Sequence, residues 1–509
     1  MRESPRTAAE LVADRPAALP DDPALRASIR RARAEESRLL GVLDDDPTGS
    51  QAVHDVQVVT VLDEAAYEDA FAAGQMAGGA GVCFVLTNSR SLPEREAADL
   101  SRRAARDLLA VARRRGAQID LISRSDSTLR GHVIAEVAAM TDALRSVTGR
   151  GPDAVLFVPA FIEAGRLTVG DNHWARTGAG MVPVGETEFA RDRVFGYAAS
   201  NLREFLVSKS GGTIRPGDVT SITLDDIRAG GTSRIRSVLA GARNGAWVVV
   251  NAAEYSDLEA VAHAVLIAGR AGQSFLFRTG PSFVRALSGL DPRAPLRGQD
   301  LAPARATISP AAHGLVVIGS HVAQTNRQLD ALLAAGHPRP VVLDAEAVLN
   351  GAPGAVAETA ERVVGGLCSS DVVLCTSRTL VMGALDRSAA EPDDLTVARA
   401  VSGALADVVR LALDAQPAWI IAKGGITSHD VAVRGLGIRR AEVAGQLFPG
   451  LISVFRPADA LPGAIGMPYV VFPGNVGDDE ALADVVALMH GAREVGRARA
   501  RRDAARPSL

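Results

Sequence analysis

Three consecutive carboxylates close a short apolar run: Leu39, Leu40, Val42 and Leu43 lead into Asp44, Asp45 and Asp46, followed by Pro47, Thr48 and Gly49. Adjacent carboxylates repel one another unless cations, donors or water offset them, so such a cluster folds at a cost. Asp46 can simply cap the turn with Pro47, with its neighbours facing solvent. The functional reading is that Asp44 or Asp45 orients a substrate hydroxyl, with Mg2+ nearby. A second run, 123–132, sets Asp126 among Ser125, Ser127 and Thr128, between Arg124 and Arg130. Guanidiniums bind planar carboxylates and phosphates with two hydrogen bonds, whereas Ser, Thr and Asp read hydroxyls. Ser127 or Thr128 can equally cap the helix that follows. Arg130 opposes that helix's dipole and calls for an anionic partner. Thr87, Asn88, Ser89 and Arg90 end a third apolar run. Together these residues suit a small hydroxylated acid.

Each of these polar groups stands where an apolar strand stops, and in open α/β sheets the carboxyl ends of strands are where ligands bind. The expected strands of the first half are 39–43, 57–61, 82–87, 119–122, 155–158, 246–250 and 275–277. Helices are expected over 94–114, 131–147 and 258–272. Continuous apolar strands between helices predict a largely parallel sheet covered on both faces. A Pro-rich stretch, 291–312, reads as a linker, with Pro at 292, 295, 303 and 310. The resulting division is an extension over 1–38, helical or loosely ordered, a first domain over 39–290, the linker, a second domain over 313–492 and a basic tail over 493–509. The fold class is α/β, in two domains, each a mostly parallel sheet flanked by helices.

In the second half, strands are expected at 315–318, 341–343, 372–375, 419–421, 451–454 and 470–472. Small glycine-bearing turns follow three of them: Gly319 to His321, Lys423 to His429, and Pro473 to Gly477. Glycine admits a ligand close to the backbone, and amides exposed at such turns attract phosphate oxygens. Single glycine turns are ordinary punctuation in α/β folds, but three at strand ends point to a nucleotide-phosphate cradle. Neither the P-loop spacing nor a dinucleotide fingerprint occurs, which counts against a dehydrogenase of hydroxy acids.

A further stretch, 170–178 followed by 182–192, is polar, glycine-punctuated and poorly periodic, and reads as a long ordered loop over a site. His173 within it, like His54, His132, His321 and His429, is more simply a structural residue, and no two histidines have a metal spacing. With 59 acidic and 55 basic residues among 509, no broad cationic surface for nucleic acid is expected. Cys83, Cys368 and Cys375 are too few and too scattered for a disulfide framework. No apolar run is long enough to span a bilayer and no signal-peptide core opens the chain, so a cytoplasmic protein is expected.

The carboxylate strand end, the Arg124 to Gly131 element, the 182–192 segment and the Gly424, Gly425, Ile426, Thr427, Ser428 turn, taken in order, resemble the four-carbon acid sugar kinases, from about Leu39 to Met489. The resemblance implies an ATP-dependent, Mg2+-assisted transfer to the terminal hydroxyl of a tetronic acid: threonate, erythronate or a 3-oxo-tetronate. It implies that the first domain binds the acid and the second the nucleotide. Ser320, Gly424, Gly425, Ile426, Thr427 and Gly474 fall on the nucleotide-contact positions. Asp45, Arg90, Asp126 and Arg130 fall within the acid-binding motifs, and residue type adds Asp44 and Thr128 to the acid's contacts, with Asp126 or Asp45 accepting the hydroxyl proton. The small acid and ATP are the expected partners, in a chain that can form a homodimer. The opening motif is longer than the family's usual Asp-Asp-Phe-Thr-Gly, and His321 stands where Cys or Tyr is usual; both changes bear on substrate identity. The competing reading is a non-catalytic sensor of acid sugars.

Overall fold

The computed structural model describes residues 5–76, 81–301, 313–319, 322–336, 338–377, 394–448, 451–474 and 476–491. The chain divides into two compact units, Met1–Arg293 and Ala294–Leu509. Residues 302–312 of the expected linker and the 493–509 tail lie outside the described residues.

Unit 1 is built on β1 (Arg38–Asp44), β2 (Val56–Val59), β3 (Val82–Leu86), β4 (Gln118–Arg124), β5 (Ala154–Val158), a small sheet of β6 (Arg166–Val169), β7 (Asn172–Thr177) and β8 (Gly180–Pro183), then β9 (Val219–Ile222), β10 (Ala246–Val250) and β11 (Phe275–Thr279). The main sheet runs β2-β3-β1-β4-β11-β5-β10-β9, and all its pairs are parallel. Its strands are apolar throughout because helices cover both faces. The helix Glu94–Arg114 buries Ala97, Ser101, Ala104, Ala105, Leu108 and Ala112 at helical spacing, and its acidic first turn and basic last turn complement its dipole. After β1 the chain builds β2 and β3 on one side and then crosses to β4 on the other. The carboxyl ends of β1 and β4 therefore flank a topological switch point, the crevice where such sheets take ligands.

The segment before β1 contains the helix Pro23–Glu35, capped by Asp22 with Pro23 in the first turn. Arg33 is 1% exposed, pairs with Asp120 at 2.9 Å and donates to the Leu39 carbonyl at 2.8 Å. Its neighbour Arg38 takes the other Asp120 oxygen at 2.8 Å. This part of the extension is thus fastened to β1 and β4.

Of the stretch expected to be a long loop, 170–178 and 182–183 belong instead to the antiparallel sheet β6-β7-β8, while 184–192 runs through the short 3-10 turns Val184–Glu186 and Glu188–Arg191. Val169 pairs with Asn172, leaving Gly170 and Asp171 as a two-residue hairpin with φ of 59° and 62°. A tight turn with both φ values positive suits a Gly paired with an Asp, and its twist matches that of the strands. The strands themselves are too short and too polar to stand out by periodicity.

Unit 2 has β12 (Leu315–Ile318), β13 (Pro338–Leu343), β14 (Asp371–Thr376), β15 (Ile420–Lys423), β16 (Arg440–Gln446), β17 (Ser453–Asp459) and β18 (Tyr469–Phe472). The order is β13-β14-β12-β15-β18-β17-β16, parallel through β18 and antiparallel for the last two pairs. Here too the chain builds β13 and β14 on one side of β12 and then crosses to β15. Gly319 and Gly424 follow the two strands at that switch point. The core packs Val316, Leu332, Ile421, Val470 and Leu482. No helix among the described residues is long and apolar enough to cross a membrane.

Candidate functional site

The site in unit 1 begins with the backbone. The Asp44 carbonyl accepts from the Thr87 amide at 2.9 Å and the Thr87 hydroxyl at 2.8 Å, and the Asp45 amide donates to the Arg124 carbonyl at 3.2 Å. The ends of β1, β3 and β4 are tied together before any side chain acts. On this frame Asp45 takes Arg90 at 2.7 Å, Asp46 takes the same guanidinium at 3.3 Å, and Arg124 pairs with Asp44 while donating to the Asp46 carbonyl at 2.9 Å. Asp46 also accepts the Thr48 amide at 2.8 Å and the Thr48 hydroxyl at 2.5 Å, the turn-capping role expected of it. Gly49 is required in that turn, because a Cβ there would lie 1.9 to 2.2 Å from the Arg124 guanidinium atoms.

The three carboxylates thus have different surroundings. Asp44 is 0% exposed, and one of its oxygens, Oδ2, has no hydrogen-bond partner. Burial pushes its carboxyl up to about 7 against the pull of Arg124, with Asp45 and Asp46 adding to the rise. Asp126 goes the other way. Burial works to raise it, but Arg130 and Arg90, with the Thr128 hydroxyl, hold it well below the usual carboxylate range. Arg130 Nε meets Asp126 at 2.5 Å, and the Thr128 amide donates to the other carboxyl oxygen at 3.2 Å. Of the sequence-derived set, Asp44, Asp45 and Arg90 share one cluster of ion pairs with Arg124 and Asp46, while Asp126, Thr128 and Arg130 form a second that feels the Arg90 charge.

The small sheet grips the loop between β4 and the helix Val133–Thr148. His173 is 0% exposed; its Nε2–H donates to the Ser127 carbonyl at 2.8 Å, so Nδ1 accepts from the Thr168 hydroxyl at 2.9 Å. Burial drives its pKa down to about 4, and the ring is a neutral strut, the structural role expected of it. The Tyr197 hydroxyl donates to the Thr128 carbonyl at 2.5 Å. Behind the loop, Arg278 pairs with Glu136 and donates to the Ser123 hydroxyl at 2.6 Å. Sequence reading missed this buried pair, and also Arg166, whose only signal was the Gly165-Arg166 step after an apolar run.

In unit 2, Gly424 adopts φ 113° directly after β15, and its amide donates to the Phe472 carbonyl at 2.8 Å. A Cβ on Gly319 would lie 2.2 Å from Thr427 Oγ1, so these two switch-point turns touch. Gly425, Ile426 and Thr427 open the helix Gly425–Asp430. Gly474 follows two residues after Phe472, the acceptor of the Gly424 amide, and its own carbonyl accepts from the Thr325 hydroxyl at 3.0 Å. Ser320 lies outside the described residues, as does His321. Lys423, which the sequence placed at the head of this turn without a role of its own, is 0% exposed, donates to the Pro473 carbonyl at 3.1 Å and stands 3.8 Å from the Phe472 ring centroid. Burial lowers its ammonium pKa to about 7. The bare, glycine-lined backbone at this junction fits a nucleotide's phosphates. Among the described residues, no three His, Cys, Asp or Glu side chains gather to hold a metal unaided.

Residues 40–287 match the model of a sugar-binding N-terminal domain, and residues 315–482 that of a nucleotide-binding C-terminal domain. The chain belongs to the four-carbon acid sugar kinase family. Within curated proteins this family member is similar to a D-erythronate kinase of Heliobacterium modesticaldum, 29% identical over 287 residues, 56% of this chain. The match spans 57% of that kinase's length. Among solved structures, a Salmonella typhimurium LT2 protein described as a tRNA synthase superposes with a TM-score of 0.63 at 17% identity, over 88% of this chain and 98% of its own. A Haemophilus influenzae protein gives 0.57 at 16% identity, over 88% and 100%. These two likenesses concern the fold, two α/β domains in the order seen in this four-carbon acid sugar kinase family member.

Proposed function

We propose that this chain is an ATP-dependent kinase that phosphorylates the terminal C4 hydroxyl of a four-carbon acid sugar, threonate, erythronate or a 3-oxo-tetronate, to the 4-phosphate. The observation that carries the reading is the pairing of two unlike sites, each at its own unit's switch point: an arginine and aspartate network in unit 1 and a glycine junction in unit 2. The family's domain descriptions and the resemblance to a D-erythronate kinase agree with it.

Gly319, Gly424, Gly425, Ile426, Thr427 and Gly474 would hold ATP. The nucleotide would supply the phosphoryl group, and Mg2+ bound with it would neutralise developing charge. The protein's own task is positioning, since the phosphoryl transition state asks little covalent work of it. Asp126 orients the acceptor hydroxyl, and Arg130 and Arg90 keep its carboxylate ionised for that hydrogen bond. A carboxylate held so far down is a weak base, so it takes up the hydroxyl proton only as the new bond forms. Asp45 fixes Arg90 and stands as the other acceptor.

The test is ATP turnover with Mg2+ across D- and L-threonate, D- and L-erythronate, 3-oxo-tetronate and glycerate, with the product mass and phosphate position determined. Selective conversion of one tetronate to its 4-phosphate is expected; no ADP production with any of them overturns the reading. Asp126→Asn should cost at least about a hundredfold in kcat, a typical general acid or base contribution. Should Asp126→Asn turn over normally while Asp45→Asn is inactive, the roles of the two aspartates are reversed.

A further inference from the structure

Six arginines gather around the carboxyl ends of unit 1's strands, and five of them are matched by a carboxylate. Arg90 has Asp45 at 2.7 Å, Arg124 has Asp44, Arg130 has Asp126 at 2.5 Å, Arg278 has Glu136, and Arg285 has Glu163 at 3.4 Å. Arg166 is the exception: no carboxylate oxygen of the described residues lies within 4.0 Å of it. Its Nη1 donates to the Ala164 carbonyl at 3.0 Å, and its Nε is buried without any partner. The nearby Asp126 is engaged by Arg130, the Thr128 hydroxyl and the Thr128 amide and makes no ion pair with Arg166, to which it lends only a longer-range attraction.

A guanidinium withdrawn from water without a counterion is costly, and the cost is removed when an anion arrives. Burial and the neighbouring Arg130 charge both push Arg166 below its ordinary pKa, with Asp126 offsetting only part. The surroundings also have a shape. Phe189 presents its ring to both cations, with Arg130 Cζ 5.2 Å and Arg166 Cζ 5.9 Å from the ring centroid. The ring keeps water from one side of each guanidinium while leaving their in-plane donors available. Arg166 is half-buried and Arg130 retains 24% side-chain exposure, so both can be reached from outside.

We infer that Arg166, with Arg130 beside the shared Phe189 ring, forms the subsite for the carboxylate of the acid substrate. This rests on the acid-sugar reading above and adds the residue that tells an acid from a neutral sugar. A planar carboxylate accepts two parallel hydrogen bonds from a guanidinium, a match that a hydroxyl or a carboxamide cannot reproduce. Arg130 remains shared with Asp126, which ties the carboxylate end of the substrate to the residue that orients its hydroxyl end.

The experiment compares the wild-type chain with Arg166→Gln and Arg166→Lys. Calorimetric binding of each tetronate and of its carboxamide is measured without nucleotide, beside steady-state KM values for acid and for ATP. Wild type should bind its acid roughly ten- to a hundredfold more tightly than the amide, the range for hydrogen bonds to charged groups. Arg166→Gln should erase that preference and raise KM for the acid by the same factor, with KM for ATP unchanged, and Arg166→Lys should restore part of it. A purely structural role would weaken acid and amide alike. Acid binding by Arg166→Gln within about threefold of wild type, a retained preference for acid over amide, or no saturable binding of any tetronate by the wild type overturns the inference. Arg166-dependent binding without ATP turnover would sink the kinase reading and leave the carboxylate subsite standing.

Discussion

Replacing Gly49 with alanine tests the electrostatic argument for the carboxylate cluster through a methyl group that carries no charge. The added Cβ would lie 1.9 to 2.2 Å from the Arg124 guanidinium, a distance no side chain tolerates, so the guanidinium must leave. Its departure strips Asp44 of its ion-pair partner, and Asp44 is fully buried. Breaking a buried pair by removing one partner costs roughly 3 to 5 kcal/mol. The pH dependence follows from the carboxyl's pKa, raised from 3.8 to about 7 in the folded chain. With about 1.4 kcal/mol per unit, that rise already costs the folded state roughly 4 kcal/mol above pH 7, and the cost vanishes below pH 3.8. Stability from this group is therefore lost as pH rises. Without Arg124, which opposes the rise, the folded pKa climbs further, and the penalty keeps growing above pH 7. The destabilisation of Gly49→Ala should exceed about 3 kcal/mol at pH 8 and be about 1 kcal/mol smaller at pH 6. Denaturant midpoints resolved by hydrogen exchange of β1 and β4 peptides measure it, with Asp44→Asn as the background in which the pH dependence should disappear. A loss below about 1 kcal/mol, or one of equal size at both pH values, refutes the reasoning.

Two further outcomes concern buried titrating groups. Lys423, with its pKa lowered to about 7, binds fewer protons folded than unfolded between pH 7 and 10.5, so unit 2 should gain stability across that window as pH rises. Lys423→Met should flatten the gain in pH-dependent melting of unit 2. His173, held neutral down to about pH 4, should make unit 1 lose stability as pH falls from 6.5 to 4, and His173→Gln should shrink that acid loss in the same exchange measurement.

The central parallel strands of both units were readable because burial on both faces leaves an unbroken apolar run, as in residues 39–43 and 315–318. The strands that escaped are of another kind. Val219–Ile222 sits at a sheet edge with Thr220 and Ser221 in its middle, and Arg440–Gln446 alternates polar and apolar residues. The hairpin at Gly170 and Asp171 carried a turn signal, but the strands beside it lacked a strong period. At the site, residue type located Asp44, Asp45, Asp126 and Arg130, since strand-end charges are visible in one dimension. Which charges neutralise one another is a matter of three dimensions: nothing in the chain's order marks Arg278 for Glu136, or leaves Arg166 unmatched. The same limit applies to Lys423, whose importance lies in the carbonyl of Pro473, 50 residues away.

The hold of the small sheet on the Ser125 to Arg130 loop passes through main-chain carbonyls, Ser127 to His173 and Thr128 to Tyr197. A carbonyl is present whatever side chain its residue bears. Substitutions at 127 and 128 therefore leave these two main-chain anchors in place, provided His173 and Tyr197 persist, although a change at 128 also removes the Thr128 hydroxyl from Asp126. Variation is free in one place because constancy is enforced in another. A lineage carrying this scaffold can exchange the side chains of this loop one at a time, each intermediate keeping a folded loop, and the two aromatic anchors mark where such drift must stop.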